Sequence, residues 1–180
     1  LIEELPPVVH RVLDLGAADG RLLAKVIAAR PGARGIAIDF SPPMLVELRG
    51  RFGARPGVEA GVPDLGDPLP GLRTFDAIVS SFAIHHVDDA RKRTLYQEIF
   101  DILEVRGVFV NLEHVANPSP RSHARFLEAL GIGPADEDPS NQLLDVHTQL
   151  RWLREIGFTE VDCHWKWREL ALIGGRREGA

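Results

Sequence analysis

The stretch that decides the fold lies near the start of the 180-residue chain and reads Val12-Leu13-Asp14-Leu15-Gly16-Ala17-Ala18-Asp19-Gly20. Its first four residues, Val12 to Leu15, end a short β-branched run that begins at Val8. Such a run is typical of a strand buried on both faces of a sheet. Small residues then form a turn, and apolar side chains follow at helical spacing: Leu22, Leu23, Val26 and Ile27. This order predicts a strand–turn–helix unit of a parallel sheet.

The same alternation continues along the chain. Further strands are predicted at Gly35 to Asp39, Val58 to Val62, Phe75 to Ser81 and Val108 to Glu113. Helices are predicted after Ser41-Pro42 and over Asp88 to Leu103, Ser122 to Leu130 and Val146 to Ile156. Two alternating stretches end the chain without a helix between them, around Cys163 and Leu172, and predict an antiparallel pair. The sequence therefore predicts an α/β fold, Rossmann-like and doubly wound, with a mostly parallel seven-stranded sheet and an antiparallel edge strand.

Composition limits the class of protein. The chain is 44% hydrophobic and 26% charged with a net charge of −5, which predicts one globular domain over residues 1–180. We expect no membrane segment and no signal peptide. The acidic balance gives no field that would attract nucleic acid. Cys163 is the only cysteine, so no disulfide can form within the chain and we expect a cytoplasmic protein. The expected partner is a small molecule, while the oligomeric state stays open.

Carboxylates gather where the first two predicted strands end. Asp39 follows Gly16 by about 20 residues, the distance at which an acid typically accepts ribose hydroxyls. A dinucleotide would need a small residue where Arg21 stands, and its pyrophosphate would meet Asp19. S-adenosylmethionine has no phosphate and carries a cationic amine and a sulfonium, so Asp14 and Asp19 suit it by charge. The pattern favours this cofactor over NAD, although Asp19 is explained equally well as a helix cap.

The chain resembles class I S-adenosylmethionine-dependent methyltransferases. The resemblance is carried, in order, by Val12 to Gly16, Asp39, Asp64-Leu65 and Phe75 to Ser81, and it covers nearly the whole chain. Two further segments, Ser80 to His86 and Trp165 to Glu169, resemble a bacterial subgroup whose substrates are unknown. The resemblance implies S-adenosylmethionine as cofactor, S-adenosylhomocysteine as product, and these cofactor-binding residues: Asp14, Gly16, Ala17, Ala18, Asp19, Asp39, Phe40, Met44, Asp64, Leu65, Ser81 and Phe82.

Specific roles follow from the resemblance. The first turn would line the methionine part of the cofactor, and Asp39 would hold the ribose. Phe40 and Met44 would flank the adenine, although Met44 is equally typical of a core residue. Asp64 and Leu65 would bind the edge of the adenine. Ser81 and Phe82 would lie beside the sulfonium.

Candidate catalytic residues follow the fourth and fifth predicted strands. Methyl transfer needs a base only when the acceptor must lose a proton, and a histidine can serve at neutral pH. We therefore predict His86, His85 and Glu113 as candidates, with simple packing in those loops as the alternative. No metal is predicted, because neighbours such as Glu113 and His114 face different ways and no His-x-x-x-His spacing occurs.

The acceptor pocket is expected from residues 114–147, a substrate-side insertion, because the core strands are committed to the cofactor. Phe126, Trp152 and Trp165 are candidate apolar walls, with core packing as the alternative. Arg121, Arg125 and Arg151 are candidates for an acidic acceptor, with solvated helix faces as the alternative.

Three departures from the family pattern keep other functions open. Ala18 replaces a glycine, Val105-Arg106-Gly107 replaces Pro-Gly-Gly, and the sequence begins a few residues before the first strand, where the family has a helical segment. The leading hypothesis is a methyltransferase that acts on a small molecule. The alternatives are an S-adenosylmethionine-binding module with weak or no turnover and, third, a NAD-type oxidoreductase.

Overall fold

Strands and helices alternate along the chain in the computed structural model, which describes residues 1–53, 55, 57–61, 64–133 and 135–179. The strands of this part of the chain are β1 (Arg11–Leu15), β2 (Arg34–Ile38), β3 (Val58–Gly61), β4 (Phe75–Ser81), β5 (Leu103–His114), β6 (Thr159–Trp167) and β7 (Leu170–Arg176). The helices are α1 (Arg21–Ala29), α2 (Pro42–Phe52), α3 (Asp89–Ile102), α4 (Pro120–Leu130) and α5 (Val146–Ile156). One-turn 3₁₀ helices lie at Ile2–Glu4 and Ile84–His86.

The strands form one seven-stranded sheet in the order β3-β2-β1-β4-β5-β7-β6. Strands β1 to β5 run parallel, whereas β7 pairs antiparallel with both β5 and β6. The predicted fold is therefore confirmed, and β7 lies between β5 and the edge strand β6. Two positions of the predicted third strand and its turn, Val62 and Pro63, lie outside the described residues. The strand order reverses between β1 and β4, which opens a crevice at their carboxyl ends.

Apolar layers cover both faces of the sheet, which explains the continuous apolar runs in the sequence. Leu13 of β1 packs in the cluster that contains Leu95 of α3 and Leu153 of α5. Its neighbour Val12 packs on the opposite face, with Leu23 of α1, because successive strand residues face opposite ways. Among the helices that the structure describes, none has the length and apolar character needed to cross a membrane.

Helix starts agree with the sequence at α2 and α3 and differ at α1. Ser41 is the residue before α2 and Pro42 lies in its first turn, although the Ser41 hydroxyl makes no capping hydrogen bond. Asp88 caps α3 by accepting a hydrogen bond from the Arg91 backbone N–H. At α1, Gly20 takes the position predicted for Asp19, with a left-handed φ of 79°. A side chain at Gly20 would lie 2.7 Å from the Phe52 ring, so glycine is required at this close approach.

Candidate active site

A cavity of about 650 Å³ lies at the carboxyl ends of β1, β2 and β4; we call it the strand-end cavity. Nine predicted cofactor-binding residues line it: Gly16, Ala18, Asp39, Phe40, Met44, Asp64, Leu65, Ser81 and Phe82. Sequence reasoning missed five residues of its wall: Ser41, Ala83, Val87, Asp138 and Ser140. The structure thus brings most of the predicted set to one place, and their contacts with a cofactor stay predictions.

Asp39 connects the turn after β1 with the turn after β2 by hydrogen bonds. Its Oδ2 accepts a hydrogen bond from the Ala18 backbone N–H at 2.8 Å, and its Oδ1 accepts one from the Ser41 N–H at 2.8 Å. Each carboxylate oxygen has a further lone pair, so Asp39 can also accept from hydroxyl groups of a ligand. Gly16 allows the segment that follows β4 to approach closely, because a Cβ at position 16 would lie 2.1 Å from the Ala83 Cβ.

The wall of the strand-end cavity is acidic and partly apolar. Its charged residues are Asp39, Asp64 and Asp138, and among the described residues no lysine or arginine lines it. Phe40 is 61% exposed and Met44 is 36% exposed, so both offer apolar surface to a flat ring. This donor and acceptor set fits a cationic ligand with an aromatic part, and it gives a pyrophosphate no counter-charge.

Three predicted cofactor-binding residues do not line this cavity. Asp14 is buried, its Oδ2 accepts from the Leu23 N–H at 3.0 Å, and its Oδ1 has no hydrogen-bond partner among the described residues. Burial raises the pKa of Asp14 to about 7. Ala17 packs in the core, and Asp19 forms ion pairs with Arg21 and Arg51 at 2.7 Å. The expected acidic wall is therefore present, but Asp39, Asp64 and Asp138 supply it in place of Asp14 and Asp19.

A second cavity of about 490 Å³ adjoins the first; we call it the histidine cavity. The two share Phe82, His86 and Asp138. The other lining residues are His85, His114, Phe126, Leu127, Leu130, Ile132, Asp136, Glu137, Asn141 and Leu170. Most of these come from residues 114–147, where the acceptor pocket was expected, and the role of that segment stays a prediction.

Other candidates for the acceptor pocket lie elsewhere. Trp152 packs against the core, and Trp165 on β6 is 47% exposed and lines neither cavity. Neither cavity is lined by Arg121, Arg125 or Arg151. The Nε of Arg151 lies 3.7 Å from the Glu155 Oε1. Phe126 is the one residue of these two sets found in the wall of the histidine cavity.

His85 and Glu113 form a buried pair at the edge of the histidine cavity. The Nδ1 of His85 lies 2.7 Å from the Glu113 Oε1, and the side chains are 7% and 0% exposed. Asn111 Nδ2 donates to the other Glu113 oxygen at 3.0 Å. An ionised carboxylate only accepts, so Nδ1 carries a hydrogen, and in the neutral ring Nε2 is the nitrogen with the lone pair. Nε2 has no hydrogen-bond partner within the part of the chain that the structure describes.

His86 lies in the wall between the cavities. Its Nδ1 is 2.9 Å from the Ser140 Oγ, and that hydroxyl donates to Asp138 at 2.7 Å. Burial lowers the pKa of His86, and neighbouring His85 adds to this effect, which favours the neutral ring. No group of three or more His, Cys, Asp or Glu side chains within the described ranges is arranged to hold a metal ion.

A loop after α4 closes onto both cavities. The Gln142 N–H donates to the His85 carbonyl at 2.8 Å, and its Nε2 donates to the His86 carbonyl at 3.1 Å. The fully buried Lys92 of α3 donates to the Val87 and Gln142 carbonyls. No local pattern in the sequence predicts the contacts of Gln142, because they join segments at least 50 residues apart.

The chain belongs to the family described as "Methyltransferase domain", whose model matches residues 13–109. The assignment to class I S-adenosylmethionine-dependent methyltransferases is confirmed, and with it S-adenosylmethionine as the cofactor.

Individual relatives agree with the family. A demethylmenaquinone methyltransferase from Clavibacter sepedonicus is 29% identical over 168 residues, which cover 85% of this chain and 67% of the relative. One of the same name from Thermus thermophilus is 32% identical over 111 residues, which cover 60% and 49%. An O-methyltransferase family protein from Burkholderia thailandensis has the same fold, with a TM-score of 0.76, 20% identity and coverage of 96% and 52%. The chain thus spans only about half to two thirds of their lengths.

Proposed function

We propose that this methyltransferase domain transfers a methyl group from S-adenosylmethionine to a small molecule held in the histidine cavity. The observation that carries the proposal is the pair of adjoining cavities, each with three carboxylates and several apolar side chains in its wall. Phe82 and His86 belong to both walls, so a cofactor in one cavity and an acceptor in the other would meet there. Such contact with exclusion of water supplies much of the catalysis that methyl transfer needs.

In this proposal, the strand-end cavity binds the cofactor. Asp39 accepts hydrogen bonds from the ribose hydroxyls, and Phe40 and Met44 contact the adenine. Asp64, whose Oδ1 already accepts from the Gly66 N–H at 2.8 Å, accepts from the adenine amine. The acidic wall favours the cationic amine and sulfonium. When bound, the cofactor supplies an electrophilic methyl group.

His85 is the proposed catalytic base, and Glu113 is its positioning residue. The Glu113 carboxylate holds the Nδ1–H of His85, which leaves Nε2 to accept a proton from an acceptor hydroxyl. Loss of that proton raises the electron density of the acceptor atom that attacks the methyl group. Two relatives are named for demethylmenaquinone, and the largely apolar wall suits an uncharged ring of that kind.

Calorimetry and a transfer assay test the proposal. The domain should bind S-adenosylmethionine and S-adenosylhomocysteine and gain thermal stability by mass action, whereas NAD should have no effect. Incubation with a panel of phenols should yield S-adenosylhomocysteine and a methylated product, both detected by mass spectrometry. A larger thermal shift with NAD contradicts the cofactor site. Tight cofactor binding without product supports the alternative, a binding module with weak or no turnover.

A further inference from the structure

Another cavity, of about 740 Å³, lies at the amino ends of β1, β2, β3 and β4, at the opposite edge of the sheet from the strand-end cavity. Three arginines line it. Arg11 and Arg34 are the first residues of β1 and β2, and Arg73 lies two positions before β4. We call it the arginine cavity, and its volume is within the range of small-molecule sites, roughly 300–1,000 Å³.

The connection between β3 and β4 leaves this cavity open. Parallel strands are usually joined by a helix that packs back onto the sheet, but residues 64–74 contain no helix. Arg11 lies on the same face of the sheet as Leu13, because the two are two positions apart on one strand. On that face Leu72 packs against the core, and the arginine cavity lies beside it.

Two of the arginines lie side by side with defined packing partners. Arg11 and Arg34 are register partners of the parallel strands β1 and β2, so their Cα atoms lie about 4.8 Å apart and their side chains leave the same face. The Arg11 guanidinium lies over the Phe75 ring, 4.9 Å from its centroid. The stem of Arg34 passes Gly57, where a Cβ would lie 3.2 Å from the Arg34 Cγ. Both side chains are thus positioned without a ligand.

The protein supplies no counter-charge to these arginines. Within the described ranges, none of the three guanidinium groups forms an ion pair. Asp76 accepts a hydrogen bond from the Arg11 backbone N–H at 3.0 Å, and Glu59 is the one carboxylate that lines the cavity among the described residues. The neighbouring positions outside the described ranges bring no charged side chain, since they are Ala54, Pro56, Val62 and Pro63. Like charges side by side on a sheet are destabilising, so an anion in this cavity would relieve the repulsion.

The guanidinium groups select the kind of anion. Each planar fork can donate two parallel hydrogen bonds to a phosphate or a carboxylate. Three forks exceed what the two oxygens of one carboxylate accept, whereas a terminal phosphate offers three oxygens and nearly two negative charges at pH 7. The Glu59 carboxylate can accept from hydroxyl groups of the same ligand. The net charge of −5 gives no wider positive field for a nucleic-acid backbone.

We propose that the arginine cavity binds a phosphomonoester, a small hydroxylated molecule that carries a doubly charged terminal phosphate. The guanidinium groups of Arg11, Arg34 and Arg73 bind the phosphate, and Glu59 binds a hydroxyl group. This site lies at the opposite edge of the sheet from the two cavities of the proposed function and does not depend on methyl transfer.

Calorimetry with two matched probes, glucose 6-phosphate and glucose, tests this proposal in a chloride buffer of fixed ionic strength. The domain should bind glucose 6-phosphate and not glucose, and inorganic phosphate should compete more weakly because it lacks the hydroxylated body. Arg34→Gln and Arg73→Gln should each weaken binding at least about tenfold, the usual loss for a hydrogen bond to a charged group. Arg34→Lys should recover part of the affinity, because it keeps the charge without the planar fork.

Arg121→Gln is the matched control, because it makes the same charge change at an exposed position of α4 outside the arginine cavity. It should leave the affinity unchanged, and saturation with S-adenosylhomocysteine should not displace glucose 6-phosphate. No binding of glucose 6-phosphate, displacement by S-adenosylhomocysteine, or equal weakening by the folded variants Arg34→Gln and Arg121→Gln would each overturn the proposal.

A vesicle assay separates a free phosphomonoester from a lipid headgroup of the same chemistry. The domain should not sediment with phosphatidylcholine vesicles that contain phosphatidic acid, because the phosphate has to enter a cavity. Sedimentation that Arg34→Gln abolishes, together with no binding of glucose 6-phosphate, would assign the arginines to a membrane surface and overturn the proposal.

Discussion

The two cavities are built in different ways, although they share a wall. The strand-end cavity is formed mainly by turns that directly follow β1, β2 and β4. The histidine cavity depends on contacts between distant segments: His85 and Glu113 lie 28 positions apart, and His114 and Glu169 lie 55 apart. The first cavity thus follows from the strand–turn–helix units that make the fold. The second depends on how the ends of β5, α4 and the β6–β7 turn meet in this particular chain.

The largest effect is expected from His85→Ala, which should act on one cavity only. Turnover of a hydroxyl acceptor should fall about 10²- to 10⁴-fold, the usual contribution of a general base. Cofactor affinity should stay the same, because His85 does not line the strand-end cavity. Steady-state rates and calorimetry with S-adenosylhomocysteine on the same variant measure both quantities.

His147→Ala is the matched control for this substitution, since His147 is exposed on α5 and should have no effect. The pH profile adds a second readout, because a base that must be neutral makes the rate rise with pH until it is deprotonated. A rate within threefold of the parent for His85→Ala would assign the base elsewhere, and His86→Ala would then be measured.

Asp39→Asn should act on the other cavity. It keeps one acceptor for the Ala18 and Ser41 N–H groups but loses a charged oxygen toward the cofactor. The expected loss of S-adenosylmethionine affinity is about 10- to 100-fold, or about 1.5–3 kcal/mol, as for hydrogen bonds to charged groups. Calorimetry measures it, and circular dichroism confirms that the variant is folded.

Asp19→Asn is the control that separates the sequence prediction from the structure. Asp19 was predicted to bind the cofactor, but its carboxylate pairs with Arg21 and Arg51 outside the strand-end cavity. Cofactor affinity should therefore change by less than a factor of about two. A loss of cofactor affinity equal to that of Asp39→Asn would mean that Asp19 binds the cofactor, and it would contradict the assignment of the strand-end cavity as the cofactor site.

The sequence predicted the fold and most of the strand-end cavity because both depend on short-range patterns. Asp39 follows β2 directly, so its place at this edge could be inferred from topology, whereas Phe40 and Met44 were assigned through the family resemblance. The direction in which each side chain points could not be inferred from the sequence, because it depends on the exact path of the turn. Asp14 therefore binds the Leu23 N–H inside the core, although its position in the chain matches the family pattern.

The histidine cavity shows where sequence reasoning ends. His85 and Glu113 were both candidates, but no pattern predicted that they form one pair. Ser140 and Asp138 lie in a loop with no regular period, and the contacts of Ser140 with His86 and Asp138 exist only in the folded chain. Glu169 belongs to a segment that resembles a bacterial subgroup, and nothing else in the sequence indicates a role for it. The turn between β6 and β7 buries it against His114.

His123 should make the stability of the histidine cavity depend on pH. Its Nδ1 contacts Glu169 and its Nε2 contacts Glu137, so only the doubly protonated ring satisfies both carboxylates. The hydrogen bond to Glu169 raises the pKa of His123. Because the folded pKa exceeds the unfolded one, the stabilisation is complete below the ordinary pKa and is lost as the pH rises through the folded value. The expected contribution to the free energy of unfolding is at most about 1 kcal/mol, as for a partly exposed ion pair.

Urea unfolding from pH 5 to 8.5 measures this effect by comparison with His123→Gln. The difference in unfolding free energy between the two proteins should be largest near pH 5 and should shrink toward pH 8.5. Hydrogen-exchange protection at residues 135–141, after correction for the intrinsic rise of exchange with pH, should fall over the same interval, because Glu137 is then released. A difference that is constant with pH would mean that His123 contributes through packing alone.

The smallest effect is expected from Ala18→Gly, in the strand-end cavity. Ala18 lines that cavity with a left-handed φ of 46°, which costs a residue with a side chain about 1 kcal/mol. Glycine removes that strain but gains unfolded-state entropy worth about 0.4–1 kcal/mol. Stability should therefore change by less than about 0.5 kcal/mol. Removal of the methyl group from the wall should tighten S-adenosylmethionine binding about fivefold, toward the lower end of the cost of overpacking.

Ala17→Gly gives the matched comparison, because it removes the same methyl group one position earlier. Ala17 is buried in the core and does not line the cavity, so its loss should reduce stability by roughly 1 kcal/mol without tightening cofactor binding. Affinity and unfolding midpoint are measured on all three proteins. Unchanged affinity in Ala18→Gly means that the turn already accommodates the cofactor beside the alanine methyl. The hypothesis of a binding module with a damaged first turn then loses its structural support, because Ala18 was the residue of that turn that departs from the family pattern.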